Sequence, residues 1–425
     1  AGSVMAAIGR TAPGLRRTPG YRQPEPPRPR RQQPAEGASK RRPMRYKLFS
    51  LGAGLDMPLL IFILVLLAIG LVMLFSASYA NSYYLQGNSY YYISRQAVFA
   101  VFGVAAMLLI STFDYHSFHK LAIVIFGVSL FLLVFLLICR YAHIESIANW
   151  EGDATRWLNF GIVSFQPSEI AKFALIVLFA HMISRNLDRM DTFRYGVVPY
   201  VAIMGLVAAL IFLESHLSAT LIILALGAIM MFVGGTKPRW FLIGGVLVAA
   251  VLLFVVVTKG GYQMDRIRIW LDPFSSDLDR DLTHQTRQSL YAIGSGGLLG
   301  VGLGQSRQKY LYLPAPQNDF IFAIVCEELG FVGALVIIVL FALLIWRGVY
   351  VSIHARDKFG MLLGLGITFQ VGLQAVLNIC VVTNTIPNTG ISLPFFSYGG
   401  TALLMLLGQM GILLNISRSA NVEKT

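Results

Sequence analysis

The chain has 425 residues, 56% of them hydrophobic and only 13% charged, with a formal net charge of +13. A soluble globule of this length carries about 25% charged residues, so the composition excludes one. Several apolar runs reach the roughly 20 residues a helix needs to cross a bilayer. They are continuous rather than alternating, which rules against a barrel. Only helices or closed barrels satisfy their backbone in lipid, so the fold class is all-α, a polytopic integral membrane protein.

Residues 1–47 are a separate regime, rich in Pro, Gly, Gln and Ala, with twelve Lys or Arg and only Glu25 and Glu36 as acids. Such a segment cannot bury a core and is expected to be a disordered tail. It lacks the short basic start and immediate apolar stretch of a signal peptide. The basic balance is mostly an effect of this tail. A cytoplasmic tail near anionic lipid headgroups explains it better than nucleic-acid binding.

Ten membrane runs follow, at about 55–79, 94–113, 118–139, 166–184, 194–213, 217–234, 240–258, 320–346, 359–383 and 397–416. Placing the tail inside puts His116–Lys120, Arg185–Arg194, Lys237–Arg239, Arg347–Lys358 and Arg418–Lys424 on one cytoplasmic side. The opposite side receives 80–93 and 384–396, which hold at most one basic residue. Short-loop charge bias of this kind sets topology, and it makes both termini cytoplasmic, with 419–425 as a short C-terminal tail. Two long connections, 140–165 and 259–319, fall outside, the second just before the eighth span.

The connection 259–319 is longer than a passive one usually is. It contains an amphipathic stretch, Arg266–Asp272, an acidic run and the glycine-rich patch Gly294–Gly304. A phosphate loop is excluded there because GxxxxGK[ST] is absent, so tight turns and close helix packing are the better reading. Asp277, Asp279 and Asp281 do not make a calcium loop either, since Leu282 and Gln288 stand at its sixth and twelfth positions. Cys139, Cys326 and Cys380 all sit in apolar segments and read as small buried hydrophobes. Among the seven histidines only His116 and His119 are close together, which is weak support for a metal.

Three polar clusters stand out against this apolar background. The first is LPAPQNDFIFAIVCEELG, residues 313–330. Asp319 stands at the mouth of a span, and Glu327 and Glu328 lie inside it, where a carboxylate costs a few kcal/mol unless paired or functional. At the helical rise those two lie roughly 12–13 Å below Asp319, so pairing suits them better than catalysis. The second is TRWLNFGIVSFQPSEIAKF, residues 155–173. Pro167 and Ser168 read as a helix start with Ser168 as the cap. Glu169 and Lys172 then share one face as an i,i+3 pair, either self-neutralising or lining the same cavity as Asp319. Arg156 and Trp157 suit a diphosphate and a sugar ring or lipid headgroup. The third is NTIPNTGISLPFFSYGGTALL, residues 384–404, whose broken backbone is tolerated at that depth only if buried or lining a cavity.

Together these stretches resemble the SEDS family of shape, elongation, division and sporulation glycosyltransferases, which includes FtsW, RodA and SpoVE. The matching elements are FQPSEIAKF (165–173), AIGSGGLLGVGLGQS (292–306), NDFIFAIVCEELGF (318–331) and LPFFSYGG (393–400), and the resemblance covers about residues 45–418. It implies a ten-helix domain over 48–418 that polymerises lipid II into peptidoglycan strands at the outer face of the bacterial cytoplasmic membrane. It implies Asp319 as the catalytic carboxylate, with Arg156, Trp157, Glu169, Lys172, Ser397 and Tyr398 on the substrate. Its partners would be a class B penicillin-binding protein transpeptidase and other division proteins, at the septum. Two departures stand. Many members read His-Thr-Asp where this chain has Gln317-Asn318-Asp319, and many have Gln/Glu-Pro-Asp-Leu-Gly-Thr after the fifth span, where it has Glu214 to Thr220. The wording of the last motif leans toward the FtsW/SpoVE branch.

Mechanistically, Asp319 suits a general base for an attacking sugar hydroxyl. A lone carboxylate implies inversion at the anomeric carbon. A divalent ion, Mg2+ or Mn2+, held partly by Asp319 competes with that role for the same side chain. A lipid II flippase and a non-catalytic scaffold for a division transpeptidase are the alternatives.

Overall fold

The computed structural model describes residues 54–143, 148–151, 154–159, 161, 164–259, 262–275 and 280–420. The expected tail 1–47 lies outside them, as do Asp277, Asp279 and residues 421–425. The described residues open with α1 (Met57–Gln86), α2 (Tyr91–Ile110) and α3 (His116–Tyr141). Three short strands follow: β1 (Ala148–Glu151), β2 (Ala154–Asn159) and β3 (Ser164–Phe165). Next come α4 (Pro167–Asn186), a single turn α5 (Phe193–Gly196), α6 (Val198–Leu213), α7 (Leu217–Val233) and α8 (Pro238–Lys259). The long connection carries α9 (Tyr262–Leu271) and α10 (Arg280–Gly296), and α11 (Ile321–Ile353), α12 (Lys358–Val382) and α13 (Gly400–Ser419) close the bundle.

Among the described residues, eight segments are long and apolar enough to cross a bilayer: α1 to α4, α5 with α6, and α11 to α13. Leu217–Val233 and Pro238–Ala250 are shorter apolar helices at the other two expected positions. The all-α expectation needs one amendment. Residues 148–165 form a small antiparallel sheet in the order β1-β2-β3. An open sheet edge is permitted there because the segment belongs to a connection, where water reaches the backbone, and not to the hydrocarbon region.

The helices begin where the sequence supplies caps. Asp56 accepts from the Leu59 amide at 3.0 Å and starts α1, while Asp357 accepts from the Phe359 and Gly360 amides and starts α12. Ser168 does not cap α4. Gln166 is the N-cap, because Pro167, with its fixed φ and missing N–H, takes the first helical position and puts Ser168 inside the turn.

In α4, α12 and α13, 61%, 67% and 67% of the apolar window is buried inside the protein, against 22% in α2 and 28% in α3. The first three therefore form the centre of the bundle, and their polar side chains face protein instead of lipid.

α11 is broken at Gly330, whose φ of 68° and ψ of −169° leave the helix. The glycine-rich patch repairs the break. The Val301 and Gly302 amides donate to the Glu327 and Glu328 carbonyls at 3.0 Å each, and the Phe331 and Val332 amides donate to Gly297 and Leu298. A Cβ on Gly330 would lie 2.2 Å from the Gly300 nitrogen, so only glycine permits this approach. Beside the break, Glu328 meets Lys309 Nζ at 3.0 Å and Ser76 at 2.7 Å. Glu327 accepts from the Ser306 hydroxyl and from the Arg307 amide at 2.8 Å. The two intramembrane carboxylates are thus spent on pairing.

A cavity at the mouth of α11

A cavity of about 970 Å³ opens where the start of α11, the start of α4, strand β2 and the segment 384–399 converge. It is within the size range that holds a small-molecule ligand. Asp319, Arg156, Trp157, Glu169, Lys172, Ser397 and Tyr398 all lie on its wall.

Each is placed by its own local structure. Asp319 directly precedes the first turn of α11, and its carboxylate lies 3.0 Å from where a Cβ on Gly390 would stand. Gly390 has φ of 69°, so the chain approaches the carboxylate at a position that suits glycine for two reasons. Glu169 and Lys172 lie on the first turns of α4, with Nζ 2.7 Å from Oε1. The Lys172 side chain is only 2% exposed and Glu169 16%, so this pair is not an exposed surface one.

Arg156 and Trp157 stand on β2. The Arg156 guanidinium donates one hydrogen bond to the Ser215 carbonyl at 3.2 Å, and its Nε is buried without a partner. Ser397 accepts from the Leu393 amide at 2.7 Å and so closes its own turn. Tyr398 is fixed at its amide by the Gln317 carbonyl at 2.8 Å, and its ring meets that of Tyr92 edge to face at 4.9 Å. Burial raises the Tyr398 phenol, against the opposing effect of Arg95.

The wall contains further residues that the sequence motifs did not single out: Tyr92, Arg95, Gln166, His216, Gln370, Gln374 and Gln409. Amides inside apolar spans were the legible signal for the last three. The signal for His216 was absent, because its neighbourhood is built by the α6–α7 junction. There His216 meets Gln166 at 3.3 Å and Ser168 at 3.4 Å. Burial, reinforced by Arg156 and Lys172, holds His216 down to about 3, so it is neutral. Burial pushes the neighbouring Glu214 carboxyl up to about 9 despite Arg140, so it is protonated at neutral pH.

Three basic side chains, Arg95, Arg156 and Lys172, share the wall with two carboxylates, Glu169 and Asp319. The cavity suits an anion whose other end presents hydroxyl groups to Asp319. Among the described residues no group of three or more His, Cys, Asp or Glu side chains is arranged to hold a metal.

The model of the FtsW/RodA/SpoVE family, described as "Cell cycle protein", matches residues 57–422. The stage V sporulation protein E of Bacillus subtilis (strain 168) is 38% identical over 363 residues, covering 85% of this chain and 97% of that one. A probable peptidoglycan glycosyltransferase FtsW of Geobacter sp. (strain M18) is 36% identical over 364 residues, covering 86% and 97%. Among solved structures, a chain of a peptidoglycan synthase complex that coordinates polymerization and crosslinking superposes with a TM-score of 0.71 at 26% identity, over 86% of this chain and 98% of that chain. The rod shape determining protein RodA of Thermus thermophilus gives 0.62 at 25% identity, over 87% and 99%.

Proposed function

Because the chain belongs to the FtsW/RodA/SpoVE cell cycle protein family and is a multi-pass membrane peptidoglycan glycosyltransferase, we propose that the cavity at Asp319 is where it polymerises lipid II. The observation that carries this reading is the convergence of the partly exposed Asp319 with the buried Lys172 and the half-buried Arg156 in a single cavity.

Asp319 accepts the proton of the 4-hydroxyl of one N-acetylglucosamine. That oxygen bonds to the anomeric carbon of a lipid-linked N-acetylmuramic acid, and the bond from this carbon to the diphosphate oxygen breaks. The electron pair leaves with the undecaprenyl diphosphate. Lys172 and Arg156 neutralise the leaving charge, and the unpartnered Arg156 Nε is a donor waiting for such an oxygen. Trp157 and Tyr398 offer ring faces to the sugars. Glu169 holds the Lys172 ammonium in place. Direct displacement by the hydroxyl inverts the anomeric carbon.

A divalent cation, Mg2+ or Mn2+, would be held on the protein side by Asp319, since among the described residues no group of three or more His, Cys, Asp or Glu side chains is arranged to hold one. When bound it would neutralise leaving-group charge.

The structural relative from a peptidoglycan synthase complex supports a transpeptidase partner, which we assign to the class B penicillin-binding proteins, acting at the division septum. The test is purified full-length protein with lipid II, with and without that partner, scored for both glycan strands and lipid flipping. Strand synthesis is the expected product. Flipping without strands would overturn the reading.

A further inference from the structure

We propose that the tyrosine-rich hairpin joining α1 and α2 is a sugar-binding platform that carries the glycan strand away from the Asp319 cavity. It rests on the polymerase reading for the identity of the strand. α1 has 30 residues, about 45 Å at the helical rise, against a hydrocarbon core of about 30 Å. Its start is fixed at one membrane boundary by Asp56, which caps the helix and holds the Arg347 guanidinium at 2.8 Å. Roughly the last ten residues of α1 therefore stand beyond the hydrocarbon at the other boundary, the side of Asp319.

Residues 77–94 contain six tyrosines and no Asp, Glu, Lys or Arg. Apart from Arg95, which stands over the Tyr91 ring, this surface of Tyr, Asn, Gln and Ser is uncharged and suits a neutral polyol bearing acetamido groups. Ring faces cover the C–H faces of pyranoses, and amides and hydroxyls pair with the polar edges.

The platform is continuous with the cavity. Asn81 donates to Gln317 Oε1 at 3.1 Å, two residues before Asp319. Tyr92 lines the cavity together with the same glutamine and packs on Tyr398 at 4.9 Å. Tyr91 then meets Tyr92 at 5.3 Å, with Arg95 over its ring at 4.4 Å. The next residue, Tyr90, stacks on Phe75 at 5.6 Å, and Phe75 meets Tyr79 at 5.8 Å. Tyr83 and Tyr84 end the row at 66% and 71% exposure. The competing occupant is the bilayer, since tyrosines also form interfacial belts. A belt keeps to one depth, whereas Tyr79 and Tyr84 are about 7.5 Å apart along the axis and Tyr92 reaches the cavity.

The experiment titrates chitohexaose, a β-1,4-linked N-acetylglucosamine hexamer, onto the full chain in nanodiscs. Variants carry leucine or tryptophan at Tyr79, Tyr83 and Tyr84 together. The platform requires wild-type binding, at least tenfold weaker binding with leucine, and recovery with tryptophan. With lipid II, the leucine variant should make strands at least twofold shorter. A belt needs only amphipathic or apolar bulk, so equal behaviour of all three proteins, or no wild-type binding, overturns the proposal. Should the leucine variant fail to fold, Tyr83→Trp alone serves as a fluorescent reporter, and emission indifferent to chitohexaose overturns it equally. Binding is read without turnover. A chain that bound the hexamer but made no strands would therefore refute the polymerase reading and leave the platform standing.

Discussion

The Asn378 side-chain amide donates to the Asp319 main-chain carbonyl at 2.7 Å and to the Ile391 carbonyl at 2.6 Å. One fully buried residue on α12 thereby ties the mouth of α11 to the irregular segment that brings Gly390 against the Asp319 carboxylate. The position of the carboxylate depends on three stretches distant in sequence, and Asn378 is where they meet.

Asp319→Asn should lower glycan synthesis at least 100-fold, the lower end of what a general base contributes. The change keeps volume and removes charge at a partly exposed site, so the melting temperature should move little. Synthesis at the wild-type rate would remove Asp319 from the mechanism.

Asn378→Leu should both destabilise and slow the protein. Each carbonyl left without its donor costs roughly 1–3 kcal/mol. A catalytic group displaced by about 1 Å can cost 100-fold. Synthesis is to be measured well below the melting temperature and normalised to folded protein. An unchanged rate per folded molecule would reduce Asn378 to a purely structural residue.

Exchanging the ion pair, Glu169→Lys with Lys172→Glu, keeps the pair but moves a carboxylate to the more deeply buried position. An exposed i,i+3 pair would tolerate this within a few tenths of a kcal/mol. In the cavity the expected outcome is a melting temperature within a few degrees of wild type and loss of most synthesis. A stable exchanged protein with normal synthesis would return the pair to a structural role.

Lys309 and Glu328 are both almost fully buried, at 3% and 0% side-chain exposure. Lys309→Met alone strands the carboxylate and should cost about 3–5 kcal/mol. Adding Glu328→Leu should recover part of that loss, because the uncompensated charge is gone. Thermal melting of the single and double variants decides it, and a double variant no more stable than the single would contradict the pairing.

The α6–α7 junction makes stability depend on pH in two opposite ways. Glu214 titrates near 9 when folded, above its ordinary value of 4.5, so its contribution is present below 4.5 and declines as pH rises toward 9. His216 titrates near 3 when folded, below its ordinary 6.5, so its contribution is present above 6.5 and declines as pH falls toward 3. Between 4.5 and 6.5 the two slopes oppose each other. Glu214→Gln should flatten the loss of stability between pH 6.5 and 9, and His216→Gln the loss below 4.5. Melting curves over pH that do not change in these windows would contradict both assignments.

Much of the molecule was legible from residue order alone. Runs of about twenty apolar residues can be satisfied only as helices in lipid, and this placed the spans without any knowledge of packing. A carboxylate at the mouth of a span marked Asp319 because its cost there demands a reason. The i,i+3 spacing put Glu169 and Lys172 on one face, and α4 joins them at 2.7 Å. Ser168 was misread as a cap because the hydroxyl and the proline compete for the same turn, and sequence does not say which takes the first position. What only the tertiary structure decided is nonlocal. The sheet that presents Arg156 and Trp157 forms by pairing across turns, so its register is set by partners and not by any one strand. Gly330 becomes a break because the patch 297–302 supplies the hydrogen bonds the helix gives up. His216 enters the cavity wall because the α6–α7 junction brings it against Gln166 and Ser168 of another segment. Burial, unlike periodicity, is a property of what packs around a residue, and for these residues the neighbours come from far along the chain.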